Sequence, residues 1–305
     1  MKNLFLINEN FINSRLDRWF KREICNVPQS LIEKSIRKGN IKVNNQKKKS
    51  SYKLQKDDKV TIFNINFSKK NFTRQKKKYV ATNKEIAFTS RFFIEDNENF
   101  VVINKPSGIS VQAGTKTRKN IIDILNKTKQ FDGFSPFCVH RIDKETTGIL
   151  IVAKNRKYAQ LFTTLFRIRK IHKIYLAIVL GNFNEKKGIF KDDLINFEGK
   201  KKIFNKALTH FTVLDSNNNY TLLKLSPVTG RKHQLRQQLH MRGHPILGDK
   251  KYRIDRDKFN RKSNLMLHAY KIKFSIDTYK YNFTAQPSDL FTKTLKEKYL
   301  KIFEL

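Results

Sequence analysis

The chain has little of several residue types and patterns that would point directly to a function. Its 305 residues include two cysteines, Cys25 and Cys138, which are too few for a disulfide framework or a thiolate zinc site. The glycine patterns of nucleotide sites are also missing, both G-x-x-x-x-G-K-[ST] and a G-x-G-x-x-G after a strand. These absences argue against a disulfide-stabilised domain and against a nucleotide-dependent enzyme.

Long apolar runs and acidic residues are scarce as well. No stretch of 18 apolar residues is present, and the first residues, MKNLFLINENF, place Asn and Glu where a secretory signal needs an apolar core. We therefore expect a cytoplasmic protein that does not insert into a membrane. Only 26 Asp and Glu stand against 64 Lys and Arg, and the net charge of +38 predicts a polyanionic partner. The cations are spread rather than confined to one amphipathic helix, which favours nucleic acid over an anionic membrane surface.

Charge and local pattern divide the chain into three parts. Residues 66–90 include SKKNFTRQKKKYVATNK, a basic and aperiodic segment that predicts a linker. We expect a small domain over residues 1–65 and a larger one over residues 91–305, where apolar strands mix with a few helices. The predicted fold class is α+β.

The first part reads as two helices followed by two short strands. Apolar spacing predicts a helix around residues 16–20 and a second that opens with a capping box at Ser30 and Glu33. Alternating strands are predicted at residues 41–43 and 60–62.

One carboxylate draws attention in VHRIDKETTGILIVAK, residues 139–154. The apolar run after Gly148 predicts a buried strand, so Asp143 lies in the loop that leads into it. Arg141 would share its side of an extended backbone and lower the carboxyl pKa by roughly 1 to 3 units. An ionised, rigidly held Asp can act as a nucleophile. The simpler alternative is that Asp143 only pairs with Arg141 or caps the turn at residues 146–147.

A short helix in SPVTGRKHQLRQQLH offers cations that could meet this carboxylate. Residues 235 and 239 mark its buried side, so Lys232, Arg236 and His240, each four apart, share another face. The histidines of this region lack a carboxylate or cysteine partner at ligand spacing, and no metal site is predicted.

Four segments together resemble the motifs of the RluA/RluC/RluD family of RNA pseudouridine synthases. HRIDKETTG is similar to H-R-[LI]-D-x-x-T-[ST]-G, KPSGISVQAG to K-P-x-G-[LI]-x-[VT]-x-x-G, and HKIYLAIVLG to K-x-Y-x-A-x-V-x-G. TGRKHQLR through GHPILGDKKY is similar to T-G-R-x-H-Q-[IL]-R followed by G-H-P-[IL]-x-G-D-x-x-Y. RLDRWFKREI, VPQSLIEKSIRKGNIKVNN and YKLQKDDKVTI resemble an S4 RNA-binding domain, and the second of these favours the RluC type.

The resemblance implies an isomerase that breaks the N1-glycosidic bond of a uridine, turns the uracil and rejoins it through C5, without a cofactor. Asp143 would be the nucleophile, attacking either C1′ of the sugar or C6 of the uracil. Tyr175 would lie against the uracil, where an aromatic face recovers about 1 to 3 kcal/mol of lost stacking. Arg236 would pair with Asp143.

The resemblance also implies the remaining contacts and the partner. Lys105 is expected to support the catalytic loop and could touch RNA, while Arg141 would fill the space of the flipped nucleotide or bind a phosphate. Further substrate contacts are expected at Arg231 and His233. The expected phosphate contacts of the S4-like domain are Arg15, Lys34, Arg37, Lys38 and Lys42.

The expected molecule is a monomer with a mixed, mainly antiparallel sheet flanked by helices, acting on large-subunit ribosomal RNA or an assembly intermediate. Two other classes remain to be weighed. A non-catalytic RNA-binding or ribosome-assembly factor would need only the charge and the S4-like segment. Asp143 argues against this class, because phosphate binding gains nothing from a buried carboxylate that repels RNA. An RNA methyltransferase that uses S-adenosylmethionine would need a glycine-rich loop after its first strand, and none is present.

Overall fold

The computed structural model describes residues 2–25, 27–63, 79–114, 119–198, 201–253 and 264–302. The chain forms two compact units, residues 1–78 and 79–305. Residues 66–78 of the expected linker and most of the basic segment 253–264 lie outside the described residues. No helix in the described ranges is long and apolar enough to cross a membrane.

The first unit combines two helices with a three-stranded antiparallel sheet of order β1-β3-β2. Its core contains Leu16, Trp19 and Phe20 from the first helix and Ile32 and Ile36 from the second, which confirms the helical spacing read from the sequence. The elements are β1 (Lys2–Leu6), α1 (Leu16–Glu23), α2 (Gln29–Lys38), β2 (Ile41–Val43) and β3 (Lys59–Phe63).

The capping box predicted at Ser30 and Glu33 is wrong. Helix α2 already begins at Gln29, with Pro28 as its N-cap and no side-chain cap. Ser30 therefore lies inside the first turn. The Gln29 amide instead donates to Asp17 Oδ2 at 2.9 Å and to Glu33 Oε1 at 3.3 Å, which ties the start of α2 to α1.

The second unit is built on a ten-stranded sheet with helices packed beside it. Its elements are α3 (Asn83–Thr89), β4 (Phe93–Asp96), β5 (Phe100–Lys105), α4 (Ile121–Leu125), β6 (Phe137–Cys138), β7 (Thr147–Ala153), α5 (Arg156–Arg167), β8 (His172–Leu180), β9 (Lys187–Glu198), β10 (Lys201–Ser216), β11 (Tyr220–Pro227), α6 (Gln234–Met241), β12 (Leu267–Ile276), β13 (Tyr279–Thr284) and α7 (Asp289–Glu297). The mixed, mainly antiparallel sheet implied by the family resemblance is confirmed.

One segment differs from its sequence-based expectation, and two others owe their structure to specific contacts. Helix α3 lies within the segment expected as linker, because Thr82 and Glu85 form a reciprocal capping box and Ile86 packs on a core cluster. The basic residues 182–206 contribute strand β9 and the first part of β10, which pair over their length. The C-terminal helix α7 begins at Asp289 because the Ser288 side chain caps it.

Strand order places the C-terminal β12 in the middle of the sheet. The order is β4-β5-β7-β12-β8-β11-β10-β9, with β6 on β7 and β13 on β12. Among the described strand pairs only β7 and β12 are parallel, and they pair through two residue pairs, His268 with Thr147 and Ala269 with Gly148. The part of the sheet that contains β4, β5 and β7 is therefore joined to the rest by a short parallel pairing at the start of β7.

Strand β7 is buried on both faces, which explains its unbroken apolar run. Leu150 and Val152 belong to the same core cluster as Ile124 of α4, while Ile149 and Ile151 belong to the cluster that contains Phe162 of α5. A strand covered on both sides has no solvent face and shows no polar alternation. This packing fixes the position of β7 and therefore the point at which the preceding loop, which contains Asp143, ends.

Candidate active site

A cavity of about 620 Å³ lies in the second unit at the start of β7. Its volume is in the range of small-ligand sites and suits a single nucleotide. The lining comes from the loop before β7, the end of α5, the first half of β8 and the segment from residue 227 to residue 236. It contains one carboxylate, Asp143, and six cationic side chains, Arg141, Arg167, Arg169, Lys173, Arg231 and Arg236.

Asp143 meets its cation from α6. Arg236 Nη1 donates to Asp143 Oδ2 at 2.9 Å, and the Asp143 side chain keeps 26% of its surface exposed. The guanidinium therefore contacts the carboxylate while leaving it open to the cavity. This is the pair that the family resemblance implies. Leu235 and Leu239 are buried on one side of α6, so the helical spacing places Arg236 on another side, where it contacts Asp143.

A second carboxylate fixes Arg236 from behind. Arg236 Nε and Nη2 donate to Asp249 Oδ2 and Oδ1 at 2.7 and 2.8 Å, a bidentate pair that is fully buried on the Asp249 side. Asp249 Oδ1 also accepts the backbone N–H groups of Lys251 and Tyr252. Burial opposes the charge on Arg236, yet the bonds from Asp249 and Asp143 outweigh it and raise the guanidinium pKa.

His233 and Tyr252 close the other side of the carboxylate. His233 Nε2 lies 3.7 Å from Asp143 Oδ1, and His233 Nδ1 lies 3.1 Å from the Tyr252 hydroxyl. Burial lowers the pKa of His233, although the charge of Asp143 works in the opposite direction. His233, the residue before α6, takes a left-handed backbone conformation, and its ring lies beside Asp143.

Tyr175 lines the same cavity from β8. Burial, together with the negative charge of Asp143, raises the pKa of its phenol. The side chain is therefore a neutral phenol near neutral pH, able to donate a hydrogen bond or to offer an aromatic face.

Arg141 and Lys105 differ from what the sequence suggested. Arg141 lines the cavity with an exposed side chain, and in the described part of the chain it forms no ion pair with Asp143. Lys105 is fully buried, and its ammonium donates to the carbonyl oxygens of Pro106, Ile109 and Lys144 at 2.7, 3.0 and 3.1 Å. Lys105 thus supports the loop that follows Asp143 and has no exposed surface to offer RNA.

The remaining predicted contacts lie at the surface. Arg231 is exposed at the cavity and donates from Nε to Lys206 O. In the first unit, Lys34, Arg37 and Lys38 are exposed on α2, while Lys42 lies 5.3 Å from the centre of the Phe63 ring. Arg15 is partly engaged already, because its guanidinium pairs with the buried Asp17 at 2.6 Å.

Sequence reasoning missed the roles of Asp249, Gln234 and Tyr252. Gln234 accepts from Thr229 Oγ1 and from the Arg231 backbone N–H, so it shapes the turn before α6. Asp249 stands in the G-D pair of the last motif, and an acidic residue in an otherwise apolar PILGD segment was the available signal.

The chain is similar to known proteins in sequence and in fold. The family of RNA pseudouridylate synthases matches residues 99–241. The ribosomal large subunit pseudouridine synthase C of Haemophilus influenzae is 33% identical over 285 residues, covering 89% of this chain and 86% of that protein. The protein of the same name from Buchnera aphidicola is 34% identical over 289 residues, covering 89% of each. The solved structure of human RNA Pseudouridylate Synthase Domain Containing 4 aligns with a TM-score of 0.61 and 25% identity, over 71% of this chain and 96% of that one.

The family match spans both Asp143 and Arg236, which form the centre of the cavity. Relatives with about one third identity extend over nearly nine tenths of the chain, so the agreement is not confined to one motif. The chain belongs to the RluA/RluC/RluD family of RNA pseudouridine synthases.

Proposed function

We propose that this chain converts specific uridines of large-subunit ribosomal RNA to pseudouridine, with Asp143 as the nucleophile. The observation that carries the proposal is the setting of Asp143, the one carboxylate among the residues that line the cavity, held by Arg236, which Asp249 fixes in turn. The relatives named for the ribosomal large subunit support the choice of RNA.

The proposed reaction needs no external reactant. Asp143 adds either to C1′, displacing the uracil with the electron pair of the N1 bond, or to C6, pushing a ring electron pair onto O4. In both routes the C1′–N1 bond breaks, the uracil turns and C5 bonds to C1′. The bond to Asp143 then breaks and returns its electron pair to the carboxylate: C5 displaces Asp143 from C1′ in the first route, and Asp143 leaves C6 in the second. The C5 proton leaves to a base and N1 gains a proton. Arg236 holds the carboxylate in place and balances its negative charge, and Tyr175 supplies the aromatic face and the proposed relay for the C5 proton.

The exposed arginines suit the RNA backbone. Arg141, Arg167, Arg169 and Arg231 are exposed where the cavity meets solvent, and a guanidinium can bind phosphate in a bidentate manner. We assign Arg141 to a phosphate or to the space left by the flipped nucleotide.

The first unit is proposed to be an S4-like RNA-binding domain. Support comes from its small sheet with two helices, and from the three cations Lys34, Arg37 and Lys38, which share the exposed side of α2. The protein would act in the cytoplasm as a monomer, on ribosomal RNA or on an assembly intermediate.

Mapping of pseudouridines in ribosomal RNA, from cells with and without this protein, tests the proposal. We expect at least one large-subunit pseudouridine to vanish without the protein and to return with the wild-type chain. Asp143→Asn should not restore it while binding RNA nearly as well, because the amide keeps the shape but lacks the anionic nucleophile. An unchanged map combined with an assembly defect would instead favour the non-catalytic factor.

A further inference from the structure

Lys173 is a largely buried cation in the cavity that the reaction scheme above leaves unused. It precedes Tyr175 by two residues on β8, so the two side chains share a face of the strand about 7 Å apart along it. Its ammonium reaches across the cavity toward the turn at Gly230, lying 3.9 Å from the position that a Cβ there would occupy.

The ammonium has no partner in the described part of the protein. Among the described residues the Lys173 ammonium forms no hydrogen bond and no ion pair, and Asp143, the carboxylate of the cavity lining, is bonded to Arg236. Burial, with a smaller effect of Arg169, lowers the pKa of Lys173 to about 8. The ammonium keeps contact with the open cavity, so an acceptor that binds there can take its hydrogen bonds and recover the cost of its partial burial.

Lys173 is less exposed than the other cations of the cavity that do not contact Asp143. Arg141, Arg167, Arg169 and Arg231 are exposed and within reach of an RNA backbone outside. Lys173 instead lies below them, beside the aromatic ring against which the uracil is proposed to stack. We propose that Lys173 is a catalytic residue that donates a hydrogen bond to a carbonyl oxygen of the extracted uracil and stabilises the negative charge that the ring acquires.

This inference rests on the proposed function, but it holds for both routes of attack. Displacement at C1′ leaves the electron pair of N1 delocalised over O2 and O4, and addition at C6 places the pair on O4. A hydrogen bond from an ammonium to either oxygen is stronger when the uracil carries negative charge than when the base is neutral. Such preferential binding of the charged state is the condition for catalysis. An ammonium is also a donor only, so it matches the O4 of uracil and not the amino group of cytosine.

Other titratable groups around Lys173 do not mask its titration near pH 8. Burial lowers the pKa of His140 to about 3, so this ring is neutral, and the phenol of Tyr175 is neutral because its pKa is raised. The remaining titratable and charged groups that line the cavity are Arg141, Asp143, Arg167, Arg169, Arg231, His233 and Arg236.

Single-turnover kinetics of the full-length protein test the inference, with a short RNA that carries the mapped uridine. Lys173→Met keeps the aliphatic stem and should lower the rate about 100-fold to 1,000-fold, as loss of a charge-stabilising donor does. Lys173→Arg should retain much of the rate. Lys280→Met, which removes an exposed charge on β13, serves as the matched control and should change nothing.

Two further measurements separate contact with the base from a structural role. The wild-type kcat/KM should fall as the pH rises through about 8, whereas Lys173→Arg should show no such fall, because its guanidinium stays protonated. RNA with 4-thiouridine or 2-thiouridine at the target should slow the wild type, and one of the two should slow Lys173→Met no further, which identifies the oxygen.

Each outcome has a distinct meaning. If the wild type forms no pseudouridine, the proposed function fails. If the wild type is active and Lys173→Met reacts at the same rate with the same pH profile, this inference is overturned. A weaker affinity and flatter salt dependence, with an unchanged rate of reaction, would place Lys173 on a phosphate and would overturn it as well.

Discussion

At the scale of single residues, the geometry of Asp143, the proposed nucleophile, depends on one guanidinium shared by two carboxylates. Arg236 uses Nε and Nη2 for Asp249 and the remaining Nη1 for Asp143. The planar fork of an arginine can do this with fixed directions, whereas a lysine offers a point charge on a flexible stem. Asp249 thereby orients Asp143 without touching it.

Replacement of Arg236 by Ala should lower both stability and turnover. It leaves the buried Asp249 without its cation, which costs about 3 to 5 kcal/mol, and it removes the guanidinium that holds Asp143 in place. Lys at this position should restore charge but little activity. Urea unfolding and single-turnover rates measure the two effects. Arg242→Ala, which breaks the pair between the residue after α6 and Asp192 of β9, should cost stability alone. Full activity of the Arg236→Ala variant would exclude Arg236 as the functional partner of Asp143.

Tyr175→Phe separates the two proposed roles of the tyrosine. The variant keeps the aromatic face and the packing but loses the phenol. If Tyr175 relays the C5 proton, as proposed, the rate should fall about 100-fold to 10,000-fold while RNA binding hardly changes. A primary isotope effect with a target deuterated at C5 should appear or grow in the variant. A rate close to wild type would limit Tyr175 to stacking.

At the scale of elements, the decisive feature is the crossing of β7 and β12. Gly148 has a φ of +104°, and a Cβ built there would stand 2.2 Å from the Ala269 backbone oxygen. The two strands can approach this closely only because the side chain is missing. The partly buried pair of Thr147 Oγ1 and His268 Nδ1, 2.8 Å apart, adjoins the same contact between the strands, four residues after Asp143.

Gly148→Ala should therefore destabilise the second unit by about 3 kcal/mol or more, because backbone strain and displacement of the strands add. Gly133→Ala is a matched control: Gly133 has a φ of +74° with no atom within 4 Å of the added Cβ, so only the conformational cost of about 1 to 2 kcal/mol applies. Chemical denaturation of both variants measures the difference. Equal losses of stability would show that the close approach of β12 is not important.

At the scale of the whole molecule, the excess of cations forms basic surfaces in both units. The net charge of +38 attracts RNA without sequence preference, and the single negative side chain of the cavity lining sits among cations that offset its repulsion of phosphates. The exposed cations of α2 add a second basic surface in the first unit.

Substituting Lys34, Arg37 and Lys38 together by Ala should weaken RNA binding and flatten its salt dependence. Each lost phosphate contact removes roughly 0.7 to 0.9 from the slope of log affinity against log salt, so a change of about 2 is expected for three contacts. Filter binding at several salt concentrations provides the slope. An equal loss of charge on the second unit should leave the slope nearly unchanged, with Ala at the exposed Lys280, Lys293 and Lys296. The same slope in both triple variants would refute a specific role for α2.

The sequence by itself determined the chemical ingredients and the local structure. The apolar run after Gly148 and the spacing of Leu235 and Leu239 correctly indicated β7 and α6, because helix and strand periodicity reflect which side of an element is buried. Motif similarity selected Asp143 and Arg236, and the structure brings the two into contact.

Only the tertiary structure decided which of these residues meet. Arg141, the sequence neighbour, does not pair with Asp143, whereas Arg236, 93 residues away, does. The burial of Lys105, the support from Asp249 and the approach of Lys173 to the cavity likewise depend on strands that are distant in the chain. Local pattern cannot encode such contacts, because the order of strands in a sheet arises from long-range pairing, and here that pairing places β12 between β7 and β8.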